Sequence, residues 1–455
     1  MKKYLFAFFA IVTILMSCRK YSELEEQNYD PRMSGGVNTV FDQTSRAYTH
    51  AFPGLAGRDA IVHELGDAAF EASFVAAPAA INSGLGPIYN NVSCVSCHHN
   101  DGTGVPTAGE SQSALLFRIS PPGIGAHGGA HEFPGYGNQL QDKAIFGKTP
   151  ECRMVIQYTP GITYFPDGDS AILWTPDYIM NNPYTAITGP YLLSPRLAPP
   201  VFGLGMLEAI DEAELLRMQD VHDADGDGIS GKINYVWDPV SQSKKPGKFG
   251  LKANAPSLLV QVAGAYNQDM GITSSVFPVE NSYGQIQYDN LNDDFEIPDS
   301  ILHAVKFYVQ TLSVPARRNV TDPIVIQGEE LFSSLKCNAC HKQTLTTKVD
   351  ISMPYLSNQR IHPYTDMLLH DMGPGLADNR PDFDATGTEW RTSPLWGIGL
   401  RDIVNYPAYY LHDGRARSLV EAILWHDGEA KTSVDAFRQL TKSEREALLK
   451  FLKSL

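Results

Sequence analysis

The apolar positions along the chain fall into three patterns. In "DSILHAVKFYVQTL", Ile301, Leu302, Val305, Tyr308, Val309 and Leu312 recur at helical spacing. In "TKSEREALLKFLKSL" a Thr441/Glu444 capping box opens a segment with Leu448, Phe451, Leu452 and Leu455 on one face. Both predict amphipathic helices, and "GEELFSSLKCNACH" predicts a third. "RMVIQYTPGITYFPDGDSAILWTPDY" alternates instead, which predicts a β-hairpin or two. The last pattern is a continuous apolar run from Leu5 to Leu15 behind Lys2 and Lys3. It is too short for a comfortable membrane span and reads as the core of an export signal. No other stretch is long and apolar enough to cross a bilayer.

The patterns repeat. "PVFGLGM" at Pro200–Met206 matches "PLWGIGL" at Pro394–Leu400 as Pro, apolar, aromatic, Gly, apolar, Gly, apolar. Each copy is followed by one of the closing amphipathic helices, and "SVPARRNVTDPI" between them reads as a linker. A chain of 455 residues suits two domains better than one core. The expected division is 45–315 and 320–455, with the alternating segment as a long insertion in the first half. The glycines at 203, 205, 397 and 399 fit either close backbone approach to a flat ligand or tight helix packing.

Cysteine usage supplies the chemistry. "NVSCVSCHHN" holds Cys94, Cys97 and His98, and "KCNACHK" holds Cys337, Cys340 and His341. These frames take four of six cysteines. Exported cysteines normally pair with one another. A zinc site draws its ligands from closely spaced pairs, and a thioredoxin-like pair needs no adjacent histidine. Covalent haem attachment uses every residue: two thiols add to the vinyl groups and the neighbouring imidazole ligates iron. The frames therefore predict two c-type haems, with His98 and His341 as proximal ligands. The fold expected is mainly α, two cytochrome c-like haem domains, with some β-structure in the insertion.

The export signal ends at Leu15-Met16-Ser17-Cys18, which resembles a bacterial lipobox. That resemblance implies cleavage after residue 17, lipidation of Cys18 and a polar tether over residues 18–44. The body would then sit at the bacterial cell envelope, held to the membrane by lipid and facing the periplasm or cell surface. The formal net charge of −15 argues against nucleic acid and against polybasic lipid docking. Cys152 has no remaining thiol partner and reads as a buried or a reactive thiol. "DADGDGISGKIN" places Asp223, Asp225 and Asp227 at positions 1, 3 and 5 of a calcium-loop frame with Gly228 at 6. Position 12 is Asn234, not the bidentate glutamate of an EF-hand, so a looser calcium loop or a plain acidic turn is expected.

Longer runs carry a family resemblance. "YGNQLQDKAIFG", "LSPRLAPPVFGLGMLEAI", "DADGDGISGK", "HPYTDMLLHDMGPGLAD" and "LHDGRARSLVEAILWHDGEA" resemble the di-haem oxidoreductase family often labelled "thiol oxidoreductase". It is related to bacterial di-haem cytochrome c peroxidases. With four thiols given to haems, no dithiol is left for thiol chemistry. In the peroxidase-like relatives, the ligand opposite the C-terminal proximal histidine lies on the helix after His-Asp-Gly. The resemblance implies His426 at that position, with Met372 as rival. A bis-histidine haem has a lower reduction potential than a His/Met one. His412 and Arg415 of "HDGRAR" are candidates for haem propionates or for shaping the turn.

The resemblance implies an oxidoreductase in which electrons pass from the C-terminal haem to the N-terminal one. There peroxide or a similar small oxidant would be reduced, with another cytochrome or envelope redox protein as donor. Candidates to move protons at that site are His127, His131 and Glu208. Each has a plain alternative, as loop histidine or helix-surface acid. Trp396, Trp425 and Trp237 are candidates to relay electrons between haems. The competing expectation is an anchored electron-transfer cytochrome with no turnover of its own.

Overall fold

The computed structural model describes residues 30–110, 113–291 and 295–455. The signal segment and Cys18 lie outside the described residues. The chain is mixed, 27% helical and 20% strand, with several small sheets, which corrects the mainly α expectation. The tether is also shorter than residues 18–44 at its described end. Ser34, Asn38 and Thr39 are buried, and Thr39–Val40 pairs in parallel with Val314–Pro315.

Two helix pairs carry the repeat. Helix α1 (Arg58–Glu71) packs on α3 (Asp299–Gln310), which follows α2 (Leu258–Met270) in the chain. Helix α4 (Pro323–Ser334) packs on the last helix, α6 (Lys442–Leu452), with α5 (Leu419–Trp425) between them in sequence. Each pair crosses at a glycine. A Cβ on Gly66 would collide with Ala304 O and come 2.7 Å from Tyr308 Cβ. A Cβ on Gly328 would collide with Ala447 O and come 2.7 Å from Phe451 Cβ. One turn on, Phe70 meets Tyr308 at 5.3 Å, and Phe332 meets Phe451 at 5.2 Å.

The two Gly-rich motifs meet each other. Gly203 and Gly397 both have φ +72°, which favours glycine. A Cβ on Gly203 would lie 2.6 Å from the Trp396 ring, and one on Gly397 would lie 2.6 Å from the Phe202 ring. Each motif's aromatic thus covers the other's glycine. Gly205 and Gly399 abut the carbonyls of Gln310 and Lys453. These glycines serve tight packing, the second of the two readings open in the sequence.

The β-structure lies largely in the insertion. Strand β1 (Leu115–Ser120) is the centre of a three-stranded antiparallel sheet with β2 (Gln139–Leu140) and β5 (Leu192–Leu197) on its sides. Strands β3 (Arg153–Tyr164) and β4 (Ser170–Asn181) form the hairpin the alternation predicts, in register from Arg153↔Asn181 to Tyr164↔Ser170. At its base Met154, Ile156, Tyr178 and Met180 join the core of the sheet. At its tip Phe165, Ala171 and Leu173 join the core of the second half. There Arg445 reaches Asp167 at 2.9 Å, Arg438 donates to Thr163, and Glu421 accepts from the Trp174 amide at 2.7 Å. An insertion in the first half thereby clasps the second. Among the described residues no helix is long and apolar enough to cross a membrane.

Candidate functional site

The two frame histidines are held alike. His98 Nδ1 donates to Pro199 O at 2.8 Å, and His341 Nδ1 donates to Tyr364 O at 2.9 Å. A carbonyl only accepts, so each ring carries its proton on Nδ1 and leaves the Nε2 lone pair free for a metal. Burial pushes both imidazoles down to about 4, which keeps them neutral. Phe70 and Phe332 sit at 6.1 and 6.3 Å from the two rings. Burial pushes the Cys94, Cys97 and Cys337 thiols up to about 12 and also raises Cys340. Buried neutral thiols are poor thiolate ligands.

A cavity of about 240 Å³ lies around the second frame and reaches Thr103 and Leu197–Pro199 of the first half. Cys337, Cys340 and His341 line it, and so do His426, His412 and Met372. His426 Nδ1 donates to Ala422 O at 2.7 Å, so its Nε2 is free in the same way, and burial lowers its pKa. The structure thus brings both candidate axial histidines, and the rival Met372, to one cavity. Arg391, Arg401 and Lys336 line it too, with no carboxylate among the lining residues. Arg391 Nε binds Gly250 O, and burial pushes its guanidinium down to about 10. An apolar cavity with two half-buried arginines, no acids among its lining residues and convergent imidazoles suits a flat dianionic group such as haem.

Arg415 does not line this cavity. It pairs with Asp413 at 2.7 Å, donates to Gly375 O at 2.6 Å and lies over Trp425. The arginines that do line the cavity, Arg391 and Arg401, were not among the sequence candidates. His412 lines the cavity and stacks on Trp390 at 3.7 Å, so of its two expected roles contact with the bound group keeps support.

The proposed proton-moving residues of the first half are not where expected. His127 and His131 are exposed on a surface loop, His127 stacked on Trp237 at 3.9 Å. Glu208 accepts from the Leu258 amide and from Gln310 Nε2, both at 2.8 Å. Its carboxylate is used to cap α2 and brace α3. All three expectations of a role beside the N-terminal haem are corrected on these grounds.

The sequence reading missed Glu151. It is 0% exposed, and burial holds its carboxyl well above the usual range, which favours the protonated form. One oxygen accepts from the Gln141 amide at 2.6 Å; the other has no hydrogen-bond partner among the described residues. Gln139 and Gln141 are also buried with unpartnered side-chain oxygens. Gln139 donates to Asp269, whose charge bears on Cys94 and Cys97. Asn90, on the approach to the first frame, binds Leu140 O, and Asn91 binds Cys97 Sγ. The available signal was "NQLQDKAIFGKTPE": two glutamines on one strand face, then an acid in a run with few others.

Elsewhere, Asp223, Asp225 and Asp227 bring carboxylate oxygens within 4.8 Å of one another, at an exposed loop tied to the second half by Ser230–Glu429. Asn234 is turned away, bound to Lys252 O and Asp382 O. Cys152 is buried, and its thiol is pushed up to about 12, which favours the buried reading over the reactive one. Of the tryptophans, Trp174, Trp390 and Trp425 each have a cation over the ring. Trp396 is buried where the two Gly-rich motifs meet.

Residues 29–118 and 139–455 match the family described as "Di-haem oxidoreductase, putative peroxidase". The chain belongs to the di-haem oxidoreductase family, and its function is haem-based redox chemistry. No curated protein matches it. Two solved structures are similar. One is a MauG-like protein associated with microbial copper homeostasis, at 16% identity over 56% of this chain and 89% of that one, TM-score 0.28. The other is Kuenenia stuttgartiensis hydrazine synthase, at 19% identity over 35% of this chain, TM-score 0.24. This chain spans 56% of the hydrazine synthase chain's length.

Proposed function

We propose that the chain is an exported, lipid-anchored di-haem c-type cytochrome in which electrons pass from the C-terminal haem to the N-terminal one, where peroxide or a similar small oxidant is reduced. One asymmetry carries this reading. The C-terminal cavity is lined by a second imidazole with its Nε2 free, His426, as well as by His341. The first half instead buries the acid Glu151, next in sequence to Cys152 of the core that includes Cys97. A haem closed by two imidazoles relays electrons; one with an open face binds and reduces a small molecule.

Cys94, Cys97, Cys337 and Cys340 attach the two haems, which supply the electron transfer and oxygen-oxygen bond chemistry. His98 and His341 would ligate the two irons, and Arg391 and Arg401 would neutralise propionates. Glu151, whose carboxyl burial holds well above the usual range, is the residue fitted to deliver a proton where a bond to oxygen breaks. Gln141 fixes its orientation through the amide at 2.6 Å. A cation above an indole disfavours its oxidised form, so Trp396 ranks ahead of Trp425 as relay, and Trp237 lies at the surface stack with His127. Asp223, Asp225 and Asp227 hold calcium. The donor is another envelope cytochrome or redox protein.

The test is addition of peroxide to half-reduced protein, with both haem spectra followed. Oxidation at the N-terminal haem with repeated turnover, much slowed in Glu151→Gln, is expected. Unchanged spectra with fast electron exchange to small redox carriers would leave the non-enzymatic electron-transfer cytochrome.

A further inference from the structure

The internal repeat exposes a difference that haem attachment does not require. Gly66 and Gly328 mark equivalent crossings, so Phe70 corresponds to Phe332 and Tyr308 to Phe451. Three residues before each glycine stand His63 and Val325, and three after each frame histidine stand Asp101 and Thr344. The crossing of the second half is apolar, and Arg317 lies over the Phe451 ring at 5.1 Å. The crossing of the first half is polar and acidic. Tyr308 donates its hydroxyl to both oxygens of buried Asp101, at 2.9 and 3.0 Å. Asp67 bears on the same phenol, and the His63 ring lies 4.9 Å from it.

This phenol is 3% exposed and leads through Phe70, at 5.3 Å, to the His98 ring. A tyrosine loses an electron readily only if its proton has somewhere to go, because the protonated oxidised phenol is a very strong acid. Tyr308 has an acceptor in place, in negative surroundings that favour loss of an electron. Phe451 has no proton to give and sits under a cation. Burial also shields an oxidised ring from solvent and from chance reductants.

We propose that Tyr308 is a redox-active tyrosine that takes up an oxidising equivalent from the N-terminal haem. One electron leaves the phenol for the oxidised haem, the phenolic O–H bond breaks, and the proton forms a new O–H bond on the Asp101 carboxylate. A later electron, arriving from the C-terminal half, returns the proton and restores both groups. The pair would hold one oxidising equivalent while the second electron is on its way. The inference rests on the reading that an oxidant acts at the N-terminal haem.

The experiment is freeze-quench EPR on haem-loaded wild-type protein, Tyr308→Phe and Asp101→Asn, each oxidised in two ways. Peroxide tests the pair within the proposed reaction; a photogenerated one-electron ruthenium oxidant tests it without peroxide chemistry. Tyr308→Phe installs the residue the second half already uses, and unchanged haem content and absorption confirm that it folds. Wild type is expected to give a persistent tyrosyl signal that is lost in Tyr308→Phe and much reduced in Asp101→Asn. A signal with the ruthenium oxidant but not with peroxide would uphold Tyr308 and remove the peroxide reading. An equal persistent signal in Tyr308→Phe, or none in wild type under either oxidant, would overturn the proposal.

Discussion

The two halves share a frame and differ in what they place around it. Each crosses two helices at a glycine, sets a phenylalanine against a frame histidine and binds that histidine's Nδ1 to a main-chain carbonyl. The second half then surrounds its site with a second imidazole, Met372 and the cations Arg391 and Arg401. The first half sets Glu151 among glutamines and Asp101 under Tyr308 near the frame histidine, whereas the buried acid at the second frame, Asp366, is tied to His370 beside Cys340. On the proposed reading, the backbone frame positions a haem, and the side chains added to it decide whether that haem relays electrons or meets an oxidant.

The comparison breaks most completely at the cysteines. Cys94→Ser with Cys97→Ser is expected to leave one covalent haem instead of two, read by mass and by pyridine haemochrome absorbance, with peroxide turnover gone. Retention of both haems would refute c-type attachment at the first frame. Next is Glu151→Gln, expected to slow turnover by roughly 10²–10⁴-fold while both haem spectra stay as they are. It also has a stability signature. Burial raises the folded pKa of Glu151, so the native state keeps a proton that the unfolded chain has lost. Stability therefore falls as pH rises above about 4.3, the unfolded value, toward the folded one, and the glutamine variant should flatten that fall in a denaturation series.

His426→Ala sharpens the contrast from the other side. The C-terminal haem should turn high-spin and its midpoint potential should rise, as followed by potentiometry; a low-spin haem at unchanged potential would pass the ligand role to Met372. Gly66→Ala and Gly328→Ala each force a methyl into a facing carbonyl and should cost about 1–3 kcal/mol or more in chemical denaturation. Similar costs at both sites would support the equivalence of the two crossings. The smallest effect expected is calcium removal. Chelation should lower Tm by about 2–4 °C per kcal/mol of bound-ion stabilisation, and Asp225→Asn should abolish the difference.

The sequence showed the haem frames, the repeat and the long hairpin because each is a local pattern of spacing or alternation. It showed less of the sheet. β1 alternates Leu115, Phe117 and Ile119 into the core, but over six residues and beside Gly-rich loops. It could not place Glu208, since "GLGMLEAIDEAE" does not reveal that the carboxylate caps α2 fifty residues on. Glu151 was hidden for the converse reason: its importance lies in burial and in an oxygen without a partner, neither of which has a motif. Arg391 and Arg401 stood in plain view, while Arg415 drew attention by its place in "HDGRAR" and is taken by Asp413.

The most direct measurement of the central asymmetry is low-temperature EPR of the haem-loaded protein, fully oxidised and half-reduced. The account predicts one low-spin bis-histidine signal from the C-terminal haem, and a high-spin ferric signal from the N-terminal haem, present at once or appearing at half reduction. Two low-spin signals in both states would contradict it, because neither haem would then have a face to offer an oxidant.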